Sequence, residues 1–165
     1  MEEILDPLRW AKFFASIKHA GKFYASGLPY THHLASVDAV MVRFGFDSLI
    51  LRTACWLHDV LEDTETSKKE IAEMFGSEVA DIVWAVTNEP GENRAIRHAL
   101  TYPKIRAHKD ALCVKLADRI ANVEQGGKLV QMYKKEHENF KRSLYTAGQY
   151  EDMWKHLDYL IKGEK

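Results

Sequence analysis

The stretch Cys55-Trp56-Leu57-His58-Asp59-Val60-Leu61-Glu62-Asp63-Thr64 decides how the rest of the chain is read. His58 and Asp59 are adjacent, and Glu62 and Asp63 follow one helical turn later. Residues three and four apart are neighbours on a helix, so Glu62 lies over His58 and Asp59, and Asp63 over Asp59. The run that begins at Asp47 is apolar at Leu49, Ile50, Ala54 and Leu57, which predicts a helix with a core-facing side. Titratable side chains clustered at the end of such a helix suit a metal site with a spare acid/base pair. Taken alone, the same residues suit a charged helix surface equally well.

Two remote segments bear on that choice. Pro29-Tyr30-Thr31-His32-His33 opens the preceding helix, and Lys115-Leu116-Ala117-Asp118-Arg119-Ile120-Ala121-Asn122 lies on a later one. His33, His58, Asp59 and Asp118 together offer two imidazoles and two carboxylates. A mixed nitrogen and oxygen set suits a divalent ion such as Mn²⁺, Fe²⁺, Co²⁺, Mg²⁺ or Zn²⁺, and ligand type alone does not choose among them. His32 and His33 point about 100° apart on a helix, so only one can face the cluster.

These segments resemble the HD superfamily of metal-dependent phosphohydrolases, and more narrowly the hydrolase domain of RelA/SpoT homologues and their small stand-alone relatives. Gly27 to His33 reads as Gly-x-Pro-Tyr-x-x-His. Leu57 to Thr64 reads as Leu-His-Asp-x-x-Glu-Asp-Thr, Phe75 to Val79 as Phe-Gly-x-x-Val, and Lys115 to Asn122 as Lys-Leu-Ala-Asp-Arg-x-x-Asn. The similarity covers about residues 10 to 145. It implies an all-α, HD-type bundle of about seven to nine helices, with residues 1–165 forming a single domain. It selects His33 over His32 as a ligand and implies one divalent ion, Mn²⁺ first among the candidates, held by His33, His58, Asp59 and Asp118. It gives Glu62 and Asp63 the acid/base role and Asn122 a contact to the nucleotide. The implied reaction removes the 3′-pyrophosphate of (p)ppGpp. An HD nucleotidase or dNTP triphosphohydrolase, and a metal-stabilised binding module without turnover, are the alternatives. Three features depart from the pattern. Lys22-Phe23 stands where the family has Arg-Lys, Gln125 where it often has threonine, and Val86 to Leu112 does not align.

Composition sets the outer bounds. A chain of 165 residues is one domain of ordinary size that can bury a core. Charged residues at 28% and hydrophobic ones at 46% are normal for a globular protein. A net charge of −1 exerts no global pull on nucleic acid or acidic membranes, so the expected partner is a small nucleotide, with self-association left open. Cys55 and Cys113 fall inside apolar runs and read as reduced core residues. No apolar run approaches the ~20 residues of a membrane span. Met1-Glu2-Glu3 lacks the basic start of a signal peptide, and a cytoplasmic protein is expected.

The rest of the chain is read as scaffold and rim. Asp6-Pro7 is an N-cap followed by proline at the first helical position, with Leu8, Ala11, Phe14, Ala15 and Ile17 at helical spacing after it. Tyr30 to Phe44 is a second helix. Ser67 with Glu70 forms a capping box, and Ser77 is expected to cap the next helix. Asn88 to Asn93 is a loop. Arg94, Arg97, His98, Lys104 and Arg106 follow, either as a solvated face or as a phosphate-binding rim, since arginine matches phosphate oxygens bidentately. Lys22 is either a solvated loop lysine or a phosphate or base contact beside the site. Ala111 to Val123 is a helix, and Arg119 is expected to neutralise Asp118 if no metal does. Leu129 to Leu144 and Tyr150 to Ile161 are covering amphipathic helices.

Overall fold

A computed structural model describes residues 6–163, so the acidic start at Met1-Glu2-Glu3 lies outside the described residues. The helices are α1 (Pro7–Lys18), α2 (Tyr30–Arg43), α3 (Leu49–Leu57), α4 (Val60–Asp63), α5 (Lys68–Phe75), α6 (Ser77–Val86), α7 (Arg94–Arg106), α8 (Lys109–Gln125), α9 (Val130–Leu144) and α10 (Glu151–Lys162). Among the described residues, nine are full helices and α4 is a single turn. Among the described residues the only pairing of β type is an isolated bridge between Phe23 and Pro29. No described helix is long and apolar enough to cross a membrane.

The bundle is built around α8. This helix is buried on nearly every side, from Ala111 to Val123, and packs against α2, α3, α6, α7, α9 and α10. A helix apolar almost all round belongs in the interior. Asp118, Arg119 and Asn122 are the polar exceptions on it, each buried, and each therefore needs a partner.

Sequence signals set most helix ends. Asp6 accepts a hydrogen bond from the Leu8 amide at 3.0 Å, Ser67 from Glu70 at 3.1 Å and Asn93 from Ile96 at 3.0 Å. Ser77 does not cap: it is the first residue of α6, and Gly76 at φ +92° takes the turn before it. α2 is held against α3 by buried Asp38. Its carboxylate receives Arg52 Nε at 2.8 Å, Arg52 Nη2 at 3.0 Å and Trp56 Nε1 at 3.0 Å. This clamp fixes the register of His33 on α2 relative to His58 at the end of α3. Core packing is less complete at the periphery than the apolar pattern suggests. Ile17, Leu49 and Ile50 are exposed, because α1 and the first turn of α3 lie at the surface. Cys55 and Cys113 are buried and free.

Candidate metal and nucleotide site

α3 stops at Leu57. His58 is its C-cap, and Asp59, at φ −101° and ψ −2°, turns the chain into the short α4. The Asp63 amide still donates to the Asp59 carbonyl at 2.9 Å, so the helical spacing from Asp59 to Asp63 survives the break. Thr64 closes the turn by donating its hydroxyl to the Val60 carbonyl at 2.6 Å.

His33, His58 and Asp118 each place one ligand atom within 4.8 Å of the other two. His33 Nε2 lies 3.2 Å and His58 Nε2 3.6 Å from Asp118 Oδ1. Asp59 Oδ2 joins them from the side, 3.0 Å from His58 Nε2 and 3.8 Å from His33 Nε2. His32 is exposed on the other side of α2. His58 Nδ1 is 2.6 Å from the Cys55 carbonyl, so it donates there and leaves Nε2 to face the cluster. That Nε2 is buried and has no hydrogen-bond partner. A buried, unpartnered ring nitrogen, converging with a second imidazole and two carboxylates, fits a divalent cation once its proton is displaced.

The charges in the cluster lean on one another. Burial would lower the His58 pKa, but the Asp59 and Asp118 carboxylates outweigh it and hold His58 well above the ordinary histidine value. Burial would likewise raise both carboxyls. The His58 imidazole keeps Asp59 low, and Lys115 with the two imidazoles keeps Asp118 well below the carboxylate range.

A second ring of side chains positions these groups, and most of it escapes sequence reading. The Tyr30 hydroxyl donates to Asp59 Oδ2 at 2.6 Å. Burial, then the Asp59 charge, raises its pKa, so it stays a donor. Tyr24 stacks on His33, with centroids 4.9 Å apart and planes 5° apart, and its hydroxyl donates to Asn122 Oδ1. Burial, then Asp118, pushes that phenol up to about 12. Asn122 Nδ2 in turn donates to Asp118 Oδ1 at 2.8 Å, and Lys115 Nζ reaches Asp118 Oδ2 at 3.1 Å. The cation beside Asp118 is thus Lys115, three residues back on the same face. Arg119 points away and pairs with Glu136 at 2.9 Å. Tyr30 and Lys115 lie inside the quoted motifs, so their spacing was a usable signal. Glu136, on α9, had none.

A polar cavity opens over the cluster. Its walls include Asp59, Glu62, Lys115, Asp118, Asn122 and Arg94. Glu62 is held there by Asn88, whose Nδ2 and backbone amide donate to it at 3.0 and 3.2 Å. Asp63 points elsewhere, with Oδ2 3.8 Å from His19 Nε2, so the two neighbouring acids face different surroundings. Arg94 lines the cavity while its guanidinium is shared with Glu136. His98 lies beneath it, its pKa lowered to about 4 by burial and then by Arg94. Lys22 lies outside the lining and donates to the Asp63 carbonyl. Arg97 is exposed and not on the wall. Lys104 is farther off, bonded to the Trp84 and Thr87 carbonyls and to Glu89, with its ammonium over the Trp84 ring.

Residues 11–146 match the family described as an HD domain. The chain is 34% identical over 123 residues to a guanosine-3′,5′-bis(diphosphate) 3′-pyrophosphohydrolase of Aquifex aeolicus, covering 72% of this chain and 18% of that protein. It is 32% identical over 127 residues to a GTP pyrophosphokinase rsh of Brucella ovis, covering 73% and 17%. The chain therefore spans less than a fifth of the length of these curated relatives. One solved structure, described as a metazoan ortholog of SpoT that hydrolyzes ppGpp, superposes with a TM-score of 0.82 at 21% identity, covering 95% of this chain and 94% of that one. A Listeria monocytogenes protein superposes with a TM-score of 0.66 at 23% identity, covering 79% and 97%. Both superpositions establish the fold.

Proposed function

Because the chain belongs to the HD-domain family, we propose that it is a metal-dependent phosphohydrolase that removes the 3′-pyrophosphate of a (p)ppGpp-type nucleotide. The observation that carries this reading is the convergence of His33, His58 and Asp118 within 4.8 Å, with Asp59 beside them, next to a cavity lined by His33, Asp59, Asp118 and Glu62. A ligand cluster that served only stability would need neither an adjacent cavity nor an acid fixed to face it.

His33, His58, Asp59 and Asp118 would hold the ion, with Mn²⁺ first among the candidates. When bound, the ion supplies Lewis-acid chemistry: an acidified water and a polarised phosphoryl group. The chain's own residues then do the rest. Glu62, clamped by Asn88, orients the water in the cavity. Asp63, outside the cavity lining with Oδ2 toward His19 and its side chain partly exposed, would present its other oxygen to take one proton from that water and return it to the leaving oxygen. Asn122, already bound to Asp118 and Tyr24, offers its amide edge to the nucleotide. Arg94 supplies a cation on the cavity wall for a second phosphate.

A second reading, an HD nucleotidase acting on other nucleotides, is favoured by the loop before α2. Lys22 is occupied by the Asp63 carbonyl, and Phe23, 67% exposed, offers a flat face with no hydrogen bonds to distinguish bases. The test is incubation of the Mn²⁺-loaded protein with ppGpp, ppApp, dNTPs, NADPH and nucleoside monophosphates, with product identification. Pyrophosphate from ppGpp and ppApp, at kcat/KM values within ~100-fold, about 2.7 kcal/mol, is expected of such a loop. Phosphate or triphosphate from a dNTP, with both bis-phosphorylated nucleotides untouched, replaces the first reading with the second.

A further inference from the structure

His19 is a buried imidazole that the catalytic scheme above does not use. It is the C-cap of α1, and its Nδ1 lies 3.0 Å from the Ala15 carbonyl. Nδ1 therefore donates to that carbonyl, and Nε2 is the nitrogen left to meet a partner. The side chain is completely buried, and Nε2 has no hydrogen-bond partner. It faces Asp63 Oδ2 at 3.8 Å. The ring lies flat on Tyr30, with centroids 4.9 Å and planes 12° apart, and Tyr30 donates to Asp59.

Capping accounts for Nδ1 and for nothing at Nε2. A phenyl ring would fill the same space, and leaving a ring nitrogen buried and unpaired is costly. The 3.8 Å gap has a simple cause. With Nδ1 donating to Ala15, a bare Nε2 would be an acceptor opposite a second acceptor, the Asp63 carboxylate, and the two would have no hydrogen to share. One proton on Asp63 would supply the missing hydrogen.

We propose that His19 is the positioning residue for the protonated form of Asp63, accepting its O–H at Nε2 during turnover. The proposal rests on the reading of Asp63 as the acid/base group. When water attacks phosphorus, its O–H bond breaks and an O–H bond forms on Asp63. That acid donates to His19 Nε2, which holds its rotamer. The Asp63 O–H bond then breaks as the proton passes to the leaving oxygen, while the phosphorus–oxygen bond to that group breaks. Oxidation states do not change, and the proton taken is the proton returned.

The test uses the full chain, loaded with Mn²⁺ and assayed on ppGpp. His19→Phe keeps a flat ring against Tyr30 and removes both nitrogens. His19→Gln restores a polar acceptor close to the Nε2 position. Phe is expected to lower kcat at least ~10-fold, a fraction of what a positioned acid/base supplies, with KM and metal per chain unchanged. Gln is expected to recover most of that loss. In an Asp63→Asn background, Phe should change kcat by less than ~2-fold, since groups acting as a unit do not add. An unchanged kcat in His19→Phe, or an equal loss in both backgrounds, overturns the proposal. A second measurement needs no turnover: imidazole ¹⁵N shifts of the Zn²⁺-loaded protein should show Nδ1 protonated and Nε2 bare, with the Nε2 signal moving in Asp63→Asn. A hydrogen on Nε2 overturns the pairing. If the wild type hydrolyses no nucleotide, the hydrolase reading falls, and the nitrogen signals alone decide the contact.

Discussion

Replacing Tyr30 with phenylalanine removes one oxygen and keeps the ring. The lost hydroxyl donates to Asp59 Oδ2 at 2.6 Å, and burial with the Asp59 charge keeps it protonated. The ring's contacts persist: the flat stack on His19 and the edge contact with His33, centroids 5.6 Å apart. The change is therefore local to the hydrogen bond. A bond of this kind to a charged group is worth about 1.5–3 kcal/mol. At 1.4 kcal/mol per decade, that corresponds to ~10- to 100-fold in an equilibrium constant. Removing the donor also leaves more charge on Asp59, which favours a cation. The loss of a fixed rotamer dominates, as it does for outer partners of metal ligands generally, where ~10–100-fold in affinity is typical. Calorimetric titration of Mn²⁺ into metal-free Tyr30→Phe should show a Kd raised by that factor, with the helical circular dichroism unchanged. A Kd within ~3-fold of wild type would mean that the bond contributes well under 1 kcal/mol, and would refute the positioning role.

Three further outcomes follow from the same geometry. His58 has a folded pKa raised above its unfolded value of about 6.5, so its contribution to the metal-free protein is complete below that pH and is lost as pH rises through the folded value. Metal must displace that proton, so Mn²⁺ affinity should climb over the same range, with about one proton released per ion in calorimetry across buffers of different ionisation enthalpy. Glu62→Gln and Asp63→Asn should each retain the ion and the fold yet lose at least ~10²-fold in kcat by steady-state assay, and full activity in both would leave the pair as surface charge. Glu136→Ala should lower stability by about 3 kcal/mol in urea unfolding, because it strands the Arg119 guanidinium, 3% exposed, without its counterion.

Most helices were legible in the sequence from local spacing, α7 being the exception, and the candidate ligands were legible from the motifs that carry them. The apolar period marked α2, α8, α9 and α10, and the caps at Asp6 and Ser67 lie where their side chains can reach the next turn. His33, His58 and Asp118 were legible as motif residues, and the fold brings their ligand atoms together. What the sequence hid is mostly long-range. Glu136 meets Arg94 and Arg119 only because α9 crosses α7 and α8. The break after Leu57 is a second kind of miss. The period ran straight through His58 and Asp59, yet the chain turns there and sends Glu62 into the cavity and Asp63 toward His19. The basic run from Arg94 to Arg106 divides by helix face: Arg94 reaches the cavity, Arg97 is exposed, and Lys104 is tied to the end of α6.

The ligand set itself is tested most directly by elemental analysis of the purified protein and its single alanine variants after Mn²⁺ loading and gel filtration. Wild type is expected to hold about one ion per chain, and His33→Ala, His58→Ala, Asp59→Ala and Asp118→Ala well below ~0.1, because each loses one of the converging donors. The same variants should lose the thermal stabilisation that Mn²⁺ gives wild type by mass action. A stoichiometric ion retained in Asp118→Ala or His58→Ala would contradict the account.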